Sequence, residues 1–161
     1  MKTASVLMSA LMAGAMSLAP QAFAQTVHYP GGKSTFDGKC AVCHQAGGRG
    51  MDGLAPPLVE YPGKYAGTSE GRAQLGHTVM YGMFGPIKVK EKSYNFKMPS
   101  FASLSDEEIA DVLNYVVFDL NAEHGAARPF DAAEVKAWRA GPLDQTAVHQ
   151  QRASVIKGLG L

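Results

Sequence analysis

The pentapeptide Cys40-Ala41-Val42-Cys43-His44 holds both cysteines of the chain, with a histidine directly after the second. Three chemistries use two thiols at this spacing. A thiol–disulfide pair places Cys-x-x-Cys at a helix start beside a βαβ pattern, and no strand-rich pattern surrounds residues 40–44. A structural zinc site needs four ligands, usually with a second Cys/His pair at recognisable spacing, whereas His77, His124 and His149 are scattered singly. The third chemistry uses the whole motif. On a helix the two thiols stand about one turn apart, which matches the separation of the two vinyl groups of a haem, and the next histidine points its imidazole at the iron from the same side. The motif therefore predicts a single covalent haem c, tied through Cys40 and Cys43 with His44 as proximal ligand. Whatever fold the chain adopts must wrap around that group.

The amino terminus says where such attachment takes place. Lys2 gives a positive start, Ala4 to Leu18 form an apolar stretch broken by small residues, and Ala22-Phe23-Ala24 is a small-x-small cleavage site. Residues 1–24 are read as a signal peptide cut near Ala24, because an apolar run of about 15 residues falls short of the ~20 that a spanning helix needs. No later stretch is long and apolar enough to span a membrane. The expected location is the periplasm, an oxidising space in which two free thiols would otherwise pair. Removing residues 1–24 takes one lysine from the 15 basic residues, leaving 14 against 14 acids. A formally neutral chain lacks the basic excess of a nucleic-acid binder.

Around the motif, Gly32, Phe36 and Cys40 recur every four residues and are expected along one helix face. Ser34 with Asp37 reads as the N-terminal cap of that helix. The following stretch, "QAGGRGMDGLAPPL", is too rich in glycine and proline for a helix and is read as a loop. A carbonyl there can accept the imidazole N–H and orient the ring. Further on, Thr68 or Ser69 caps a helix that carries Leu75, Val79 and Met83 along one face. Ser105 with Glu108 forms a capping box, Leu104 and Ile109 a hydrophobic staple, and Ile109, Val112, Leu113, Val116 and Leu120 an apolar stripe.

These features resemble the class I cytochromes c. The resemblance is carried by Gly32-x-x-x-Phe36-x-x-x-Cys40-x-x-Cys43-His44, then Pro56-Pro57-Leu58, then Met98-Pro99-x-Phe101 leading into "LSDEEIADVLNYV". It implies an all-α fold of helices wrapped around one haem, with the Phe36 helix crossing the final helix. It also implies that Pro56 offers its carbonyl to His44 and that Met98 is the sixth iron ligand. The residues themselves rank Met98 first, with Met80 and His77 as competitors: Pro99 biases Met98 away from helix, while Met83 is read as a helical core residue. The chain divides into a signal peptide (1–24), a linker (25–31), a cytochrome domain (32–121) and a C-terminal extension (122–161).

Lys88, Lys90, Lys92 and Lys97 lie in a stretch read as a loop near Met98, where they are either solvated or rim the haem edge and attract an acidic partner. Tyr61, Tyr65, Arg72 and Tyr81 are candidate partners for the haem propionates. In the extension, Asp131 with Glu134 forms a capping box, and Phe130 with Val135 a staple, for a short helix near 131–140 that carries Trp138. That helix is expected to pack back on the haem domain; the alternative is docking on a larger enzyme. Residues 145–161 carry no strong signal and are expected to be mobile. A haem ligated by His and Met exchanges electrons without binding substrate. The chain is therefore read as a periplasmic electron carrier and not an enzyme, serving as redox partner or cytochrome subunit of a periplasmic dehydrogenase or reductase, with another carrier or a terminal acceptor beyond it. "GHTVMYGMFGPIKV" and the extended tail are similar to cytochromes that serve oxidoreductases of the sulfite dehydrogenase type. The competing class is a haem enzyme or gas sensor with an open sixth position, peroxidase-like in its chemistry.

Overall fold

Pro30 supplies the first helical residue of α1 (Pro30–Thr35) with its φ already suited to a helix. The computed structural model describes residues 28–161, so the expected signal peptide, its expected cleavage site and residues 25–27 of the expected linker lie outside the described residues, while Pro30 and Gly31 of that linker belong to α1. Because Pro30 starts the helix early, Ser34 sits inside it and caps nothing, a correction to the expected Ser34–Asp37 cap. Asp37 instead pairs with Lys33 one turn back. The chain then widens into a π-helical turn, Phe36–Cys40, and continues as α2 (Ala41–His44).

α1 crosses α5 (Asp106–Asn114) at Gly32, where a Cβ would stand 2.0 Å from the Asp111 carbonyl oxygen. Only glycine lets the two backbones approach this closely. Phe36 is fully buried beside Val112, Tyr115 and Val116. The capping box of α5 forms as the sequence indicates: Ser105 Oγ accepts from Glu108 N at 3.2 Å, and Glu108 Oε2 accepts from Ser105 N at 2.8 Å. Leu104, Ile109, Leu113 and Val117 are buried together in a second cluster, separate from that of Phe36. A second π-helical turn, Tyr115–Asp119, ends α5, and Asp119 accepts from the backbone N–H groups of His28 and Tyr29, both at 2.9 Å.

Between these elements run the short α3 (Tyr61–Tyr65) and α4 (Ser69–Tyr81), whose Thr68 cap accepts from Gly71 N at 3.1 Å. α4 stops at Gly82, where φ is +73°. Met83 therefore lies beyond the helix, which corrects its reading as a helical core residue. The lysine-rich loop is also corrected. It contains an antiparallel hairpin, β1 (Ile87–Val89) and β2 (Lys92–Tyr94), with Ile87 opposite Tyr94. Ile87, Val89 and Tyr94 form its buried face, a two-residue alternation that is visible in "IKV" but short.

The extension packs back. α6 (Ala132–Arg139) is capped by Asp131, which accepts from Glu134 N at 2.9 Å, but the reciprocal half of the expected capping box is missing. Glu134 turns to the buried Arg72 on α4 instead, meeting it at 2.8 and 2.5 Å. Trp138 packs against α4 at Gly76, where a Cβ would stand 2.3 Å from the indole. The stretch expected to be mobile forms the long α7 (Gln145–Leu159), capped by Asp144 and packed on α4. Only Val148 and Val155 of α7 are buried. Most of its attachments are polar, which is why no apolar periodicity announced it.

Candidate cofactor site

The helices enclose one large apolar cavity, and the residues of the pentapeptide form one wall of it. Cys40, Cys43 and His44 all line the cavity, as do Pro56 and Met98. Cys40 packs against the Phe36–Val112 wall. Burial and the neighbouring Cys43 raise the Cys40 thiol to about 11, with Lys39 pulling the other way. Such a group stays protonated at neutral pH, unlike the acidic thiols of dithiol redox motifs.

His44 is buried at the helix end. Gln45 leaves the helix with φ at +62°, and the loop folds back so that Gly50 N donates to His44 O at 2.8 Å. Leu58 N donates to Gly48 O at 2.7 Å, and Asn121 Nδ2 donates to Leu58 O at 2.8 Å, which ties the loop to the end of α5. This brings the Pro56 carbonyl to 2.9 Å from His44 Nδ1. A carbonyl can only accept, so Nδ1 carries the proton and Nε2 is the free nitrogen. Burial lowers the imidazole pKa, only partly offset by the bond to Pro56. The ring is thus neutral at neutral pH, the form that ligates a metal.

Met98 is strapped to the end of α4. Met98 N donates to Met83 O at 3.0 Å, Met83 N donates to Met98 O at 3.2 Å, and Phe101 N donates to Val79 O at 3.0 Å. The competing ligands are elsewhere. Met80 is fully buried among Leu104, Ile109 and Leu113 and does not line the cavity. His77 faces α7, with Nδ1 at 2.8 Å from Gln151 Oε1. Met83 does reach the cavity, and it packs against the hairpin's buried face. Of the proposed propionate partners, Tyr61 and Tyr65 line the cavity, whereas Arg72 is spent on Glu134 and Tyr81 leans toward Arg139 O at 3.5 Å. Arg152 of α7 lines the cavity and was not anticipated. Its only sequence signal was the Asp144 cap ahead of a proline-free run.

Two thiols, a neutral imidazole with a free Nε2 and a thioether on one apolar cavity fit a haem tied from one side. A profile of the family described as Cytochrome c matches residues 31–117, more than half of the chain. The chain belongs to the cytochrome c family. Two relatives, both named cytochrome c-552, come from Thermus thermophilus, the second from a particular strain of that species. Each is 41% identical to this chain over 126 residues, covering 76% of the chain and 92% or 82% of the relative. This class I cytochrome c carries a covalently attached haem c, is mostly helical and serves in electron transfer. Among the described residues of this cytochrome no helix is long and apolar enough to cross a membrane.

Proposed function

We propose that this cytochrome is an exported one-electron shuttle that works in the periplasm as redox partner or cytochrome subunit of a dehydrogenase or reductase. In this reading Cys40 and Cys43 are the thioether tethers, His44 and Met98 the axial ligands, and Pro56 the group that orients His44. A haem iron with both axial positions filled by His and Met changes oxidation state without taking up substrate. The single observation that carries the reading is the pairing of His44 Nδ1 with Pro56 O at 2.9 Å. It leaves Nε2 free inside a cavity that Met98 also lines. Second-sphere bonds of this kind fix ring orientation and raise ligand basicity.

Met98 is preferred over Met83 because Met83 already has an apolar seat against Ile87, Val89 and Tyr94. The oxidised protein is expected to show the weak far-red sulfur-to-iron band and, when reduced, to bind little carbon monoxide. Met98→Ala should abolish the band and open the protein to carbon monoxide, while Met83→Leu should keep the band. Rapid carbon monoxide uptake by the unmutated protein would overturn the carrier reading in favour of a haem enzyme or gas sensor. Cell fractionation tests the compartment, and co-purification of a dehydrogenase or reductase on native capture from that fraction tests the partner.

A further inference from the structure

Gln145 opens α7, beyond the 31–117 stretch that matches the family profile. Its side-chain nitrogen donates to two carbonyls at once, Tyr81 O and Met98 O, each at 3.2 Å. Tyr81 is the last residue of α4, where a helix leaves its final carbonyls without partners in its own ladder. Met98 is the proposed sixth ligand, and its carbonyl already accepts from Met83 N at 3.2 Å. An amide –NH2 has two donor hydrogens and a carbonyl oxygen has two lone pairs, so one side chain bridges both groups without displacing the Met83 bond. Gly82 makes room for the bridge. With φ at +73°, a Cβ there would stand 2.3 Å from Met98 O and 2.7 Å from Gln145 Nε2.

We propose that Gln145 is a positioning residue for the axial methionine: its amide pins the Met98 backbone to the end of α4, so a helix of the C-terminal extension sets how firmly the thioether is held in the cofactor site. The proposal rests on Met98 as the sixth ligand. Groups behind a ligand fix its orientation, and for a neutral thioether the group behind is its own backbone. The far end of the strap is tied to α4 directly, through Ser100 Oγ donating to Met80 O at 2.5 Å and Phe101 N to Val79 O at 3.0 Å. Gln145 holds the near end from outside both elements, and it does so from a fixed platform. Asp144 Oδ1 accepts from Ala147 N at 2.8 Å and sets the first turn of α7. Val148 is fully buried, and its carbonyl accepts from the buried Gln74 Nε2 at 3.2 Å. One turn further on, Gln151 Oε1 lies 2.8 Å from His77 Nδ1.

The test mixes the oxidised, haem-loaded protein with saturating imidazole and follows the decay of the far-red sulfur-to-iron band, whose rate reports Met98 leaving the iron. Gln145→Ala removes the amide, while Gln145→Glu keeps the length and removes only the donors. In both variants the decay should be about threefold to tenfold faster than in the parent, the weight of a net hydrogen bond. Gln151→Ala cuts a tie between α7 and α4 that does not touch the strap. It should lower the denaturant midpoint of unfolding yet leave the decay at the parent rate. A parent-like decay in either Gln145 variant overturns the proposal. So does an equal acceleration in Gln151→Ala, which traces the effect to general loosening of α7. Failure of the Met98 reading is visible separately, as a missing far-red band in the unmutated protein, and the proposal then falls with it.

Discussion

Gly32 makes the closest backbone approach of the α1–α5 crossing, with no room for even a methyl group against Asp111 O. Gly32→Ala should destabilise the haem-loaded protein by about 1–3 kcal/mol, the usual range for overpacking a tight contact. Denaturant unfolding measures it, and an unchanged midpoint would mean that the crossing yields easily. Residues whose place on the cavity is announced by a local motif were legible from sequence. Cys40, Cys43 and His44 fall within five consecutive residues, and a Pro56-Pro57 pair in a glycine-rich loop or a Met98-Pro99 step leaves its own backbone signature. Met83 and Arg152 were not legible, for two different reasons. The place of Met83 depends on α4 breaking at Gly82 in a positive-φ conformation, although "MYGMFG" continues the apolar spacing. Arg152 reaches the cavity only through the packing of an entire helix, and nothing within a few residues of it records that.

At the scale of elements, the bond between α6 and α4 is the clearest case in which a distant partner defeats a local rule. Glu134 could have completed the capping box of its own helix, yet Arg72, 5% exposed, captures it in a two-point ion pair. Arg72 also donates to Arg128 O at 2.6 Å and lies 3.9 Å from the centre of the Phe130 ring. Glu134→Gln leaves that buried cation without its counter-charge and should cost about 3 kcal/mol. Chemical unfolding reads the loss, while the reduction potential should stay put because Arg72 does not line the cavity. The start and buried face of α5 were legible, since its cap, staple and stripe are all local and agree with one another, whereas its π-helical end over Tyr115–Asp119 was not. The hairpin and α7 were not. Each strand is three residues long, and α7 is attached chiefly through side-chain amides, imidazoles and a guanidinium, which leave no hydrophobic period to detect.

For the whole molecule, charge around the cavity mouth is thinner than the run of lysines suggests. Lys90 pairs with Glu60 at 2.7 Å and Lys92 with Asp52 at 2.5 Å. Lys39 and Lys97 remain at the cavity, beside the exposed apolar side chains of Val42 and Phe96. A partner therefore meets an apolar surface with a small positive fringe, and steering of an acidic partner rests mainly on the unpaired lysines. Lys97→Glu should slow electron transfer to such a partner several-fold at low ionic strength, an effect that stopped-flow kinetics should see fade as salt is added. Lys90→Glu should do less. Equal rates for both variants and the parent would remove steering from the account. The π-helical turn at Phe36–Cys40 has a consequence for the chain as a mechanical part. Each residue of a helix turns the chain by about 100°, so the residue count in that turn works like an angular setting between two rigid shafts. Phe36 opens the turn and locks it into the core, Cys40 closes it, and the second shaft carries Cys43 and His44. A chain one residue shorter there would wind more regularly and turn its cysteines by about 100° relative to Phe36. Local regularity and capture of the cofactor pull in opposite directions at this single turn, and the irregular winding is the setting that lets both ends of the segment reach their targets.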